Sequence, residues 1–173
     1  LSFTLGTFFL GTAGYVNTFV AQYMGANRPE RVGASVWQGI HFSILAGLFL
    51  LVGIPFAPWI FDAAGHEPSI RALEVVYFQI LMVGWLPGLI MPAVSSFYSG
   101  RGVTRPVMWV NLVAATTNIG LDYILIFGKL GLPEMGIEGA AWATVLAHCF
   151  GAIVFLLMFF GKKNRETYNT LVA

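Results

Sequence analysis

The chain has 173 residues, 57% of them hydrophobic and only 10% charged, where an ordinary soluble domain carries about 25% charged residues. That deficit excludes the soluble class, the net charge of +1 leaves no electrostatic footprint for nucleic acid, and the single Cys149 excludes an intrachain disulfide. The chain opens on Leu-Ser-Phe, already apolar and without a signal-peptide pattern, and is expected to be a piece of a longer protein.

A bilayer core asks for about 20 mostly apolar residues per helix, and five segments qualify. The first covers 1–24, with Thr4, Thr7, Gly11, Gly14, Thr18 and Gln22 at three-four spacing; this face is expected to pack, and Gln22 is a candidate cavity-lining residue. The loop "GANRPERVG" follows, where Asn27 and Glu30 around Pro29 read as a capping box. The second span covers 34–61 and the loop "DAAGHEPS" closes it. The third, 70–98, contains Gly84, Pro87, Gly88 and Pro92. Proline inside a helix frees a backbone carbonyl and bends the axis, so Pro87 is either a cavity-lining kink or a static one. After "SGRGVTRP", the fourth span, 107–127, sets Asn111, Ala115, Asn118 and Asp122 on one face. After "GKLGLPEMG", the fifth, 137–160, repeats Gly139, Ala143, Ala147 and Gly151 every four residues, with Gly136, Ala140 and Thr144 as an adjacent stripe. In lipid, small residues mark the faces where helices approach closely.

Orientation follows from the basic residues. Arg28, Arg31, Arg101, Arg105, Lys162, Lys163 and Arg165 fall at one end, and only Arg71 and Lys129 at the other. The positive-inside rule makes the first end cytoplasmic, so the chain starts outside and ends inside. Trp37 and Trp109 read as anchors at the cytoplasmic interface and Trp59 at the outer one, whereas Trp85 and Trp142 lie deeper and are expected between helices.

Asp122 is the one charge between Pro106 and Phe127. An acid within a membrane helix is costly and by default functional. Asn118 lies one turn away with both a donor and an acceptor, and Thr144 on the antiparallel fifth helix reaches a similar depth. A carboxylate, an amide and a hydroxyl among small residues suit a proton or a desolvated alkali cation, Na+ at Asp122 and Asn118 being one case. The plain alternative is that Asp122 and Asn118 bond each other and knit two helices.

The stretches "FYSGRGVTRPVMWVNLVAATTNIGLDYILIFG" and "LPEMGIEGAAWATVLA", with the earlier "VAQYMGANRPERVG", resemble the multidrug and toxic compound extrusion (MATE) transporters. The shared features are a Gly-x-Thr-x-Pro loop, an Asn-x-x-x-Asp helix and a Pro-x-x-Gly-x-x-Gly-Ala-Ala-x-Ala-Thr entry to the next helix. The resemblance implies an all-α polytopic bundle, with this chain as helices two to six of the six-helix N-terminal lobe of a twelve-helix transporter. Residues 1–161 would form the partial lobe and 162–173 begin the cytoplasmic inter-lobe linker. It implies export of small organic, often cationic, compounds in exchange for protons or sodium, across a plasma (inner) membrane. No cofactor beyond that ion is implied; the partners would be the bilayer, the first helix and the C-terminal lobe. By the same resemblance, Asn118, Asp122, Thr144 and Ala140 match the N-lobe cation site, whose remaining acid would lie on the preceding helix.

Other candidates divide the same way. His148, one turn past Thr144, is either a proton relay lining a cavity or a histidine bonded between helices. His41 and His66 are weaker, and no His/Cys pair has metal-ligand spacing. Glu134 and Glu138 suit the dipole at a helix entry. Ser95, Ser96 and Ser99 lie toward the cytoplasmic end, apart from His148, so a serine hydrolase is rejected. A lipid-linked saccharide flippase of the same layout is the competing transporter reading; it would need basic residues in the membrane interior, and this chain has none there.

Overall fold

The computed structural model describes residues 1–65 and 67–172; His66 therefore lies outside the described residues. Eight α-helices occur among them: α1 Ser2–Gly14, α2 Val16–Gly25, α3 Val32–Leu51, α4 Ala57–Ala63, α5 Pro68–Ser99, α6 Thr104–Ile126, α7 Gly136–Phe159 and α8 Lys162–Tyr168. The fold is all-helical, and short connections make successive passes antiparallel. Four stretches are long and apolar enough to cross a membrane: Pro29–Ala63, α5, α6 and α7. The first expected span is built instead from α1 and α2, joined at Tyr15, whose φ of −63° and ψ of −18° remain helical. The Tyr15 amide is shared between the Gly11 and Thr12 carbonyls at 3.1 Å each, so the hydrogen-bond ladder loosens there while the chain continues.

The second span is also interrupted. Pro55 lacks an N–H and sits in a 3-10 turn, Ile54–Phe56, which separates α3 from α4. Gln79 of α5 donates to the Ile54 carbonyl at 3.1 Å and so satisfies an acceptor freed at the break. Arg71 pairs with Asp62 across the same end of the bundle.

The long helix α5 is the axis of the assembly, packed against α1, α2, α3 and α7. The one hydroxyl proton of Ser43 of α3 is shared between its own Gly39 carbonyl at 2.7 Å and the Leu89 carbonyl of α5 at 3.0 Å. Toward the basic end, Val20, Val36, Val94, Phe97, Phe155 and Phe159 form one core; toward the other, Leu50, Phe78, Met82 and Leu89 form a second. The expected stripe on α7 is the packed one: Gly139, Ala143, Ala147 and Gly151 are all buried. At Gly139 a Cβ would meet the Leu125 backbone carbon at 2.7 Å, so only glycine lets α7 settle on the end of α6. That contact sets the register between the two helices.

Three local expectations differ from the structure. The Thr4–Gln22 face of the first span is open; Gly6, Ala13, Val16 and Val20 are buried in its place. The capping box does not form, because Pro29 starts a 3-10 turn with Arg28 at its N-cap, without a side-chain bond, and Asn27 takes the left-handed φ of 55°. Trp142 points outward at 37% exposure, while Trp85 does sit between helices, its indole over Gly6.

The tail folds back instead of leaving the bundle. Trp37 Nε1 of α3 donates to the Thr170 carbonyl at 3.0 Å, and Thr170 is fully buried. The Arg101 guanidinium stacks on Phe97 at 3.7 Å and on Tyr168 at 4.4 Å. Contacts from α8 also reach the turn at Pro29–Arg31, so the basic residues of both loops and of the tail gather at one end.

Candidate functional site

A hollow runs along the bundle between α1 and α6, with α5 and α7 as its floor. It has three adjoining parts. The first, about 250 Å³, is bounded by Phe3 and Leu10 of α1, Gly84, Trp85 and Gly88 of α5, and Thr144 and His148 of α7. The second, about 230 Å³, is bounded by Asn111, Ala115 and Asn118 of α6, Met91 of α5, and again Thr144 and His148. The third, about 230 Å³, extends toward the basic end past Pro92, Ser95 and Asn111. His148 belongs to all three.

Each wall follows from the sequence. Three of the four polar or small residues read onto one face of α6, Asn111, Ala115 and Asn118, do line the hollow. Thr144 stands opposite; its hydroxyl donates to the Ala140 carbonyl at 3.1 Å, one turn back. That bond uses the hydroxyl proton and leaves the oxygen's lone pairs free to accept. Asp122 is half-buried one turn beyond Asn118, past the edge of the second part. The plain alternative, an Asn118–Asp122 bond, does not form: Asn118 Nδ2 is buried without a hydrogen-bond partner among the described residues. The oxygen atoms on or near this part of the hollow are those of the Asn118 amide and Thr144 and, a turn along α6, the Asp122 carboxylate.

Other candidates are placed less centrally. Gln22 is exposed on α2, away from the hollow, because α2 buries Val16 and Val20. Pro87 is buried within α5, and Pro92, one and a half turns on, takes the wall position. Pro92 has no N–H to give the Gly88 carbonyl, so that carbonyl has lost its helical donor beside the hollow. His41 is exposed next to Trp37. Ser95 shares the third part of the hollow with His148, closer than their sequence positions implied, but its hydroxyl donates to the Pro92 carbonyl at 3.2 Å. Ser96 likewise donates to a helix carbonyl, and the Ser99 proton is shared between Asn17 Oδ1 at 2.9 Å and the Ser95 carbonyl at 3.3 Å, so these hydroxyls serve packing. Among the described residues no cluster of three metal-ligating side chains occurs.

The "Probable multidrug resistance protein NorM" of Thermotoga maritima is 30% identical over 154 residues, 88% of this chain and 33% of that protein. Two solved structures share the fold. One is an inward-facing multidrug resistance MATE family transporter of the MOP superfamily, with TM-score 0.82 and 22% identity over 94% of this chain and 37% of the other. The second is a MOP superfamily transporter from Pyrococcus furiosus, with TM-score 0.81 and 22% identity over 95% of this chain and 36% of the other. The reversed polarity of that protein's binding pocket is taken to suggest a different function. The chain thus spans about a third of the length of these relatives. The MatE family model matches residues 1–124, a stretch that contains the open face of α1, the proline-bearing α5 and both Asn118 and Asp122, and the chain belongs to that family.

Proposed function

We propose that this chain is part of a secondary antiporter of a plasma (inner) membrane, which exports small organic, often cationic, compounds in exchange for protons or sodium. Asp122 is the coupling acid. Asn118, Thr144 and the Ala140 carbonyl complete its oxygen donors, and the hollow beside them is the N-lobe half of the substrate path. The basic end faces the cytoplasm, a placement supported by the distribution of Lys and Arg.

The observation that carries this reading is the meeting of Asn118 and Thr144 across one hollow, with Asp122 a turn away and only half covered. A carboxylate held there can take up either a proton or a cation, and the two compete for one charge. The hollow has no Lys or Arg among the residues bounding its three parts. That favours organic cations over the pyrophosphate of a lipid-linked saccharide.

The test is Asp122→Asn in the complete transporter. Amide for carboxylate keeps shape and removes the charge, so coupled efflux should be lost while the protein still reaches the membrane. Efflux at the original rate, with an unchanged ion dependence, would remove Asp122 from the mechanism.

A further inference from the structure

The basic end of the bundle carries more charge than the fold uses. Arg28 and Arg31 belong to the turn before α3, and Lys162, Lys163 and Arg165 lie on α8; all five are exposed. Among the described residues none of the five forms an ion pair, although Glu30 and Glu166 lie on the same two segments. The Arg71–Asp62 pair is at the opposite end. Five cations beside two acids, none paired, leave a surface that attracts an anion.

The fold holds these two segments together. Helix α8 packs beside the Pro29–Arg31 turn. Behind it, Tyr168 lies against the Arg101 guanidinium, Asn164 donates to the Met158 carbonyl at 2.8 Å, and Trp37 Nε1 donates to the Thr170 carbonyl. Gly33 completes the seat: a Cβ there would lie 2.3 Å from the Tyr168 carbonyl oxygen, so the tail rests directly on the first turn of α3. Arg165 Nε donates to the Phe160 carbonyl, which keeps that guanidinium at the end of α7. A topology signal needs its charges only during insertion and does not need the two loops to touch. Here they are packed against each other.

Depth identifies the anion. Leu157 of α7 is exposed and apolar, a side chain for lipid. Lys162 follows five residues later, at most about 8 Å along the axis, and a headgroup layer is about 5–8 Å deep on each side of a bilayer. Clusters of Lys and Arg immediately beyond a membrane helix bind anionic headgroups. We propose that α8 and the Pro29–Arg31 turn form a binding surface for the phosphate headgroups of anionic phospholipids, built by the seating of the tail on α3 and Arg101. The leaflet follows from the orientation proposed above; the lipid contact does not depend on it.

The test uses the complete transporter freed of its other thiols, with Cys149→Ala, and a bimane fluorophore on Thr167→Cys, an exposed position of α8. The protein is placed in phosphatidylcholine nanodiscs with a small fraction of either phosphatidylglycerol or phosphatidylcholine bearing a doxyl quencher near the headgroup. The ratio of quenching by the two lipids reports the local preference, and it does so for either orientation because both leaflets are alike. With all five charges present, phosphatidylglycerol should be preferred about three- to tenfold at low salt. The preference should fade at about 1 M salt, where the Debye length is about 3 Å. Combining Lys162→Gln, Lys163→Gln and Arg165→Gln should bring the ratio close to one. Trp37→Phe and Tyr168→Ala each loosen the seat while keeping all five charges, and should each lower the preference about twofold or more. If the triple variant is not recovered, Arg165→Gln alone is read for partial loss. A ratio near one with all charges present, or one that neutralisation leaves unmoved, would overturn the proposal. So would a preference that survives both loosening variants, because the charges would then act without a built surface. Inorganic phosphate that abolishes the preference at constant ionic strength would assign the surface to a soluble anion and overturn the lipid as its partner.

Discussion

A buried amide nitrogen without an acceptor costs about 1–3 kcal/mol, and Asn118 Nδ2 is such an atom. The proposed ion site gives that amide a use outside the fold. Asn118→Leu removes the orphan donor and fits the space with an apolar group of similar size. The expected outcome is a dissociation: the melting temperature of the complete transporter in detergent holds or rises, while ion-coupled efflux collapses. A fall of several degrees would show that the amide is bonded in the complete protein, and its place in the site would be lost. Asn111, Asn118 and Thr144 were legible as wall residues because helical periodicity puts polar groups on one face, and a polar face within lipid needs a hollow to look into. Gln22 and Pro87 misled for a common reason. A polar or kinking residue reports its own chemistry, not whether its helix turns that side toward the cavity, and α2 and α5 turn these two elsewhere.

Helices show the same division. The Gly139–Gly151 stripe on α7 was readable because close approach leaves a direct mark in residue size, and the structure buries all four positions. The equally regular Thr4–Gln22 stripe stays open, since periodicity names the residues that share a face but not the face that has a neighbour. Helix α8 was not legible at all: "KKNRE" reads as a cytoplasmic charge signal at the start of a linker, and its packing involves Arg101, more than sixty residues away in sequence. There Arg101 lies between Phe97 and Tyr168, while Nε donates to the Phe97 carbonyl at 2.6 Å. Asn164 adds a bond to the Met158 carbonyl at 2.8 Å. Guanidinium–aromatic pairs of this kind contribute about 0.5–2 kcal/mol. Arg101→Gln and Tyr168→Ala should each lower thermal stability of the complete transporter. Together they should cost less than the sum of the two, by about 0.5–1 kcal/mol, because both break one contact. Strictly additive losses in that double-mutant cycle would mean the tail is not held by Arg101.

The molecule as a whole presents a surface no aqueous protein would tolerate. Leu45, Leu48 and Phe49 on α3, Trp109, Leu112 and Ile119 on α6, and Ile153 and Leu157 on α7 are all exposed. Contiguous apolar area on that scale is stable only against lipid or other protein. Which way the bundle sits in the bilayer is a separate matter, decided by charge. The structure brings Arg28, Arg31, Arg101 and the basic tail to one end, and the antiparallel order puts Lys129 and Arg71 at the other. An excess of Lys and Arg in short loops is retained on the cytoplasmic side during insertion. Single cysteines test this in a complete transporter freed of its other thiols, with Cys149→Ala in this segment. A membrane-impermeant maleimide added to intact cells should label Lys129→Cys in the α6–α7 loop, where position 129 is exposed. It should reach Arg105→Cys and Arg28→Cys only after the membrane is opened, although both positions are equally exposed in the fold. The opposite pattern would invert the bundle. It would also turn the third part of the hollow, which runs toward the basic end past Ser95, from a path leading to the cytoplasm into one leading out of the cell.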